Sequence, residues 1–448
     1  MTRKDDALLK RMRQDSIDIF YQGLAAVDPV TCIHTCCALE NAVFRVNNQA
    51  YPLDRFEKII VLGAGKAGAS MGRAMEEILG DRITSGLIIV KTGHTTPLNR
   101  ILLVEAAHPV PDEKGVRGAQ KLLDLACQAD EKTLVICLIS GGGSALMTYP
   151  ASGLTLSDKQ ETTKALLESG ASIHEINTIR KHLSGIKGGL LAKAVYPGTL
   201  MCLVLSDVVG DDPDIIASGP CTADPGTFGQ CLSIIRTRGI GPRLPKSVLE
   251  HLENGSKGLM PETLKQGDKA FERVTHTIIA SNIKSLEAAL EKAETLGYHT
   301  LILSSLVEGE TRDVAAFHAA IAKQVLATGH PVKPPACLLS GGETTVTIRG
   351  KGKGGRNQEF ALASALHIKG KETIVILSAG TDGTDGPTEA AGAVVDHTTV
   401  QRALDIGLKP ELYLEDNNAF VFFDRLSDLF ITGPTHTNVM DLRILLIR

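Results

Sequence analysis

From residue 57 onward the chain alternates between short, unbroken apolar runs and longer segments whose apolar residues recur at helical spacing. KIIVL (58–62), GLIIVK (86–91), ILLVEAA (101–107), TLVICLI (133–139) and TLMCLVL (199–205) are runs of the first kind. A passage rich in Gly, Pro and Asp follows over 210–245. The alternation then resumes with THTIIA (275–280), HTLILS (299–304), ACLLS (336–340), TTVTI (344–348), TIVILSA (373–379) and RILLI (443–447). Runs that are continuously apolar, rather than alternating with period two, predict strands buried on both faces, as in a parallel sheet covered by helices. Residues 5–39 read as helix, with Leu8, Leu9, Met12, Ile17, Ile19 and Phe20 near helical spacing and a break at Asp28-Pro29. The pattern predicts an α/β protein.

The 448 residues are too many for one compact core, so two domains are expected, with 210–245 as a loop or interdomain passage and a weak break at VKPP (332–335). Aromatic residues make up only 4% of the chain while glycine reaches 44 residues, which suits many tight strand–helix turns. A net charge of −4 without a long basic stripe argues against nucleic acid as a partner. The nine cysteines are odd in number and scattered, so no full disulfide framework is expected. The cluster CIHTCC (32–37) matches no zinc spacing and reads as buried small residues on a helix. The opening MTRKDDALLKRMRQDS has no apolar core of a signal peptide, and no stretch of 18 apolar residues occurs. A cytoplasmic, reduced protein with no membrane partner is the expectation.

Several strand-like runs end in the same way. LISGGGSALM (138–147) and LLSGGETTVT (338–347) share a strand, Ser, Gly-Gly and a small hydroxyl residue. VLSDVVGDD (204–212) and ILSAGTDGTDG (376–386) end a strand in Ser and meet a loop of Gly and Asp. Ligands of open α/β sheets bind outside the carboxyl ends of the strands, and glycine lets backbone N–H groups approach an anion. Such loops in both halves of the chain predict a phosphate-handling cleft between two domains. Gly63, Gly65, Ser140, Gly141, Gly142, Gly143, Ser144, Gly341, Gly342, Asn357 and Thr381 are its candidate nucleotide-contacting positions.

VLGAGKAGAS (61–70) fits G-x-G-x-x-G through Gly63, Gly65 and Gly68, the signature of a dinucleotide turn. The strand that should end in a ribose-binding acid ends instead in Lys91-Thr92-Gly93, which disfavours NAD but leaves NADP open. Lys66 within the turn concentrates positive potential beside helix N–H groups and suits an anionic substrate better. Asp207 in SDVVGDDPD and Asp382 in GTDGTDG are the candidates for holding Mg²⁺ and for accepting the proton of an attacking hydroxyl. KGKGGRNQE (351–359) carries Arg356 and Asn357 at the start of a helical run, where Arg356 is placed for a bidentate grip on carboxylate or phosphate. INTIRKHLSGIKGG (176–189) adds Asn177, Arg180 and Lys181, which a charged helix surface explains nearly as well.

Taken together and in order, GAGKA (63–67), HPVPD (108–112), SGGGSAL (140–146), INTIRKHLSGIKGG (176–189), SDVVGDDPDIIASGP (206–220), SGGETTVT (340–347), GGRNQEFAL (354–362), AGTDGTDGPT (379–388) and TGPTHTNVMDLRILL (432–446) resemble the type-2 glycerate kinases of the MOFRL class. Some of these were once labelled hydroxypyruvate reductases. The resemblance implies phosphorylation of D-glycerate to 2-phosphoglycerate with ATP and Mg²⁺, and Lys66 and Arg356 as the active-site cations. It also implies a helical lead over 1–44, a Rossmann-like α/β/α domain over 45–240 and an α/β MOFRL domain over 241–448. The chain departs from the family pattern at Ala107, Cys221, Glu389, His436 and Met440, the last two bearing on Thr437, Asn438 and Asp441. In the resulting scheme Lys66 and Arg356 hold the glycerate carboxylate and the moving phosphoryl group, the glycine loops supply backbone donors, and Asp207 and Asp382 share metal binding and deprotonation. An NADP-dependent hydroxypyruvate reductase is the alternative, and a non-catalytic sugar-phosphate sensor is a second one. The sequence leaves homo-oligomer formation open.

Overall fold

A computed structural model describes residues 3–370 and 373–448. The chain forms two compact units, one of residues 29–279 and one of residues 1–28 with 280–448. The boundaries expected after residues 44 and 240 do not coincide with these units. The reason lies at the start of the chain: helix Arg3–Ala25 packs Met12, Ile19 and Phe20 against Leu286, Leu377, Leu442 and Ile444, so the lead segment belongs to the core of the carboxyl-terminal unit.

In the unit of residues 29–279, six strands form one sheet in the spatial order Ile101–Ala106, Ser85–Lys91, Lys58–Ala64, Thr133–Ile139, Thr199–Leu205 and Val274–Ala280. The first five pair in parallel. Numbered along the chain, the order is 3-2-1-4-5-6, that of a doubly wound Rossmann-type sheet, whose switch point falls between its first and fourth strands. All seven residues of Thr133–Ile139 are buried, which accounts for its unbroken apolar run. Helices Gly68–Leu79 and Glu113–Ala126 are amphipathic and turn their small and apolar residues, among them Met71, Ala74, Ala119 and Leu122, to the interior.

A small antiparallel sheet, Cys37–Glu40, Val43–Val46 and Gln49–Pro52, precedes this architecture where the sequence predicts the end of a helix. The helix expected over 5–39 is in fact two, Arg3–Ala25 and Pro29–Cys36, divided at Asp28-Pro29 as the proline requires. Cys32 and Cys37 of the CIHTCC cluster are buried.

The second unit corrects the expectation of parallel strands. Its sheet runs His299–Val307, Ala336–Gly342, Asp441–Ile447, Ile374–Gly380, Gly392–Asp396, Leu429–Phe430, and only the first pair is parallel. Asp441–Ile447 is buried at all seven positions and is inserted antiparallel between two neighbours. Unbroken apolarity reports burial on both faces, not direction. TTVTI (344–348) is not a strand: Thr345 makes an isolated bridge to Glu310 and the segment continues as loop. Among the described residues no helix is long and apolar enough to cross a membrane.

Candidate active site

The loops expected to carry chemistry lie at the carboxyl ends of the central strands, and the first unit gathers one set of them at its switch point. Strand Lys58–Ala64 leads into Gly65, whose φ of +145° is open to glycine alone in practice. A Cβ on Gly65 would lie 2.0 Å from Ser140 Oγ, one on Gly63 2.4 Å from the Leu138 carbonyl oxygen, and one on Gly68 2.6 Å from Ile88. The three glycines of the apparent dinucleotide signature are thus required by packing against the neighbouring strands and the Ser140 loop. Backbone bonds seal this junction. The Lys66 amide donates to the Gly141 carbonyl at 2.8 Å, and the Ser140 amide donates to the Ala64 carbonyl at 3.1 Å. The Ala67 amide donates to Ser140 Oγ at 3.1 Å.

That docking sets the Gly141–Gly142 turn between two charged side chains. A Cβ on Gly141 would meet Asp207 Oδ2 at 2.4 Å, and one on Gly142 would meet Lys66 Cγ at 3.4 Å and the His108 ring at 3.0 Å. Gly142 has a φ of +82°. Lys66, Ser140, Gly141, Gly142 and Asp207 are therefore brought together as expected from the sequence, and His108 of HPVPD joins them. Burial, then the charges of Lys66, Lys91 and His94, push the His108 pKa down to about 4, so the ring is neutral near pH 7. Gly143 packs on Ala217, and Ser144 Oγ lies 2.8 Å from Ser218 Oγ, which donates to Asn177 Oδ1 at 3.0 Å.

The second unit assembles another polar cluster at the start of helix Arg356–His367. Arg356 holds Asp441 from Nε at 2.8 Å and Nη2 at 3.0 Å, and its Nη1 reaches the half-exposed Glu343 at 2.7 Å. Burial works against the Arg356 charge, but Asp441, then Glu343 and Asp385, outweigh it and hold its pKa above the ordinary value. Asn357 Nδ2 donates to Asp441 at 2.7 Å, and its Oδ1 accepts from Ser378 Oγ at 2.7 Å. The Asn357 and Gln358 amides, at the helix N-terminus, donate to Asp385 at 3.1 and 2.8 Å. Burial nevertheless raises the Asp385 pKa to about 7, the two amides opposing it. Asp385 and Asp441, like Glu343, Ser378 and Arg443, are members of this cluster to which the sequence assigned no role. Arg443, fully buried behind Asp441, donates to it at 3.0 Å.

Thr381 is fully buried, its hydroxyl donating to the Met440 carbonyl at 2.6 Å and accepting from the Val439 amide at 2.8 Å. It braces the 438–440 loop. Gly341 and Gly342 belong to strand Ala336–Gly342, where a Cβ would strike Asn282 at 1.7 Å and Val307 at 2.4 Å respectively. Asp382 is half-buried and accepts from the Thr384 amide and hydroxyl, both at 3.1 Å. Asp207 and Asp382 belong to different units. Among the described residues, the group of three candidate metal ligands within reach of one another is Cys137, Cys202 and Cys221, all buried, and it includes neither aspartate.

A doubly wound sheet that presents a cation and a carboxylate on either side of a glycine turn at its switch point defines an α/β enzyme that handles anionic substrates. Comparison with known proteins makes the class specific. Residues 15–253 match the domain of unknown function DUF4147, and residues 336–441 match the MOFRL family. The chain is 40% identical over 437 residues to the glycerate 2-kinase of Pyrococcus horikoshii, covering 97% of each chain. It is 40% identical over 409 residues to the D-glycerate 2-kinase of Thermotoga maritima, covering 91% of this chain and 95% of that protein. The crystal structure of glycerate kinase from Thermotoga maritima superposes with a TM-score of 0.86 at 38% identity, over 98% of this chain and all of that one. The chain belongs to the glycerate 2-kinase family.

Proposed function

We propose that the chain transfers the terminal phosphoryl group of ATP to the 2-hydroxyl of D-glycerate, giving 2-phosphoglycerate. The observation that carries this reading beyond family membership is the Gly141–Gly142 turn flanked by Lys66 and Asp207. Phosphoryl transfer asks a protein for little covalent chemistry. It asks for donors around the phosphates, cations where charge spreads in the transition state, and a base for the hydroxyl proton.

In this scheme Lys66 and Arg356 neutralise the moving phosphoryl group and the glycerate carboxylate. Asp441 fixes the plane of the Arg356 guanidinium through two of its nitrogens, while Nη1, whose partner Glu343 is half-exposed, is the nitrogen most readily handed to a substrate anion. Asp207 or Asp382 takes the proton of the 2-hydroxyl. Both are oxygen donors at strand ends, the ligand type that Mg²⁺ prefers, so the donor chemistry fits that ion. When bound, Mg²⁺ supplies charge neutralisation on the nucleotide phosphates. Neutral His108 adds bulk beside Lys66 without adding a competing charge.

The reductase alternative loses its main support, since Gly63, Gly65 and Gly68 are accounted for by packing. A two-arm assay separates the readings. ATP consumption with D-glycerate, with the product position identified by phosphorus NMR, is the expected activity. NADPH oxidation with hydroxypyruvate in the absence of that activity would overturn it.

A further inference from the structure

INTIRKHLSGIKGG contributes two adjacent cations with different surroundings. Lys181 is buried and pairs with Asp214 and, at 3.3 Å, with Asp224. The Arg180 side chain, one residue earlier on helix Ile173–His182, makes no hydrogen bond or ion pair with another described residue. It lines a cavity of about 600 Å³ together with Lys159 and Lys187.

Lys159 is 8% exposed and Lys187 1% exposed. Among the described residues each ammonium has a single, neutral acceptor: Lys159 donates to the Leu183 carbonyl at 2.9 Å, and Lys187 to the Ala217 carbonyl at 2.9 Å. The two carboxylates on the cavity wall, Glu161 and Glu168, are exposed and already accept from Ser157 and Arg243. Carbonyl dipoles orient a buried cation but do not neutralise it, and like charges gathered in a poorly hydrated wall oppose one another. Burial and then the neighbouring cations accordingly lower the pKa of Lys187 well below its ordinary value and that of Lys159 to about 7. A cluster of this kind is relieved by an anion carrying several charges.

Resting on the kinase reading above, we propose that this cavity seats the phosphates of the triphosphate donor, with Arg180, Lys159 and Lys187 as their counter-charges. Glycerate carries a single negative charge and is far smaller than the space. A volume of this size is ordinary for a nucleotide-sized ligand, and Val110, Pro111 and Leu167 give it an apolar wall against which a base can rest. Ser144 also lines the cavity and belongs to the Ser140–Ser144 loop, so phosphates held there lead toward the turn beside Lys66.

The test is equilibrium binding of ADP and of inorganic tripolyphosphate to the full chain without magnesium, by calorimetry, for the wild type, Arg180→Met and Lys187→Met. Both ligands are expected to bind the wild type and to weaken at least tenfold in Arg180→Met, while the KM for D-glycerate stays within twofold. If Lys187→Met does not fold, Arg180→Met decides, because its guanidinium has no partner to lose among the described residues. Unchanged affinity for both ligands in Arg180→Met overturns the proposal. So does a raised KM for D-glycerate with unchanged ADP affinity, which would give the cavity to the acceptor carboxylate. Tight tripolyphosphate binding through Arg180 in a protein that does not phosphorylate D-glycerate would uphold the phosphate pocket and remove the glycerate kinase reading instead.

Discussion

Arg356 closes on Asp441 through two nitrogens, Nε at 2.8 Å and Nη2 at 3.0 Å, and the same carboxylate also receives Asn357 at 2.7 Å and the fully buried Arg443 at 3.0 Å. Asp441 has no exposed surface. One buried negative charge therefore positions two guanidiniums. Asp441→Asn is expected to destabilise the protein by about 3–5 kcal/mol, because it takes from Arg443, whose Nε and Nη1 have no hydrogen-bond partner among the described residues, the carboxylate it is bonded to and its largest counter-charge. The midpoint of urea unfolding measures this, and an unchanged midpoint would show that Asp441 is not the anchor described.

Lys66→Ala should behave in the opposite way. Its side chain borders the Gly142 turn and is only half-buried, so unfolding should shift little. Turnover of D-glycerate should fall by about 10²–10⁴, the range for losing a charge that stabilises the transition state. Near-normal turnover in the folded variant would remove Lys66 from the mechanism.

Two glycines separate packing from chemistry. Gly65→Ala would put a methyl group 2.0 Å from Ser140 Oγ at a φ of +145°, and most of the chain is expected in the insoluble fraction. Gly142→Ala meets the His108 ring at 3.0 Å with a φ of +82°. A loss of about 1–3 kcal/mol is expected from that strain, with a folded protein of reduced turnover. Thermal unfolding and steady-state kinetics on the two variants distinguish these outcomes.

The buried His108 makes stability depend on pH with a definite sign. Its pKa is about 4 in the folded chain against an ordinary 6.5. Between those values the unfolded chain binds a proton that the folded one refuses, so His108 makes stability fall as pH drops from about 6.5 toward 4. Asp385, raised to about 7 by burial, has the reverse effect: the folded chain keeps a proton that the unfolded chain has lost, so stability falls as pH rises from about 4 to 7. Asp385→Asn should flatten the second slope and His108→Gln the first, read from urea midpoints across pH 4–8. Identical slopes in the variants and the wild type would contradict both assignments.

The first sheet was legible from its five apolar runs, and so was the convergence of Lys66, Asp207 and the Ser140 loop, because each sits directly after such a run. The second sheet was legible only as a set of buried strands. Neither the antiparallel insertion of Asp441–Ile447 nor the loop at TTVTI has a local signal, since apolarity is the same in either direction and threonine-rich segments serve both strand and loop. Lys159 and Lys187 carry no local signal, because a lysine in a polar stretch looks solvated until the fold closes over it. Arg356 stands out by its place at the start of a helical run, but nothing near it in sequence points to Asp441, 85 residues on.

The amino-acid order by itself determined which segments would be buried, where strands would end in glycine, serine and aspartate, and which family pattern the chain carries. Those are properties of a residue and its immediate neighbours, set by hydrophobic burial and backbone freedom. Only the tertiary structure decided that the Gly63–Gly68 pattern serves close packing, that the first helix completes the core of the carboxyl-terminal unit, and that Asp441 anchors Arg356. Those outcomes depend on contacts made across long stretches of chain, where closing the loop brings together groups that share no local pattern.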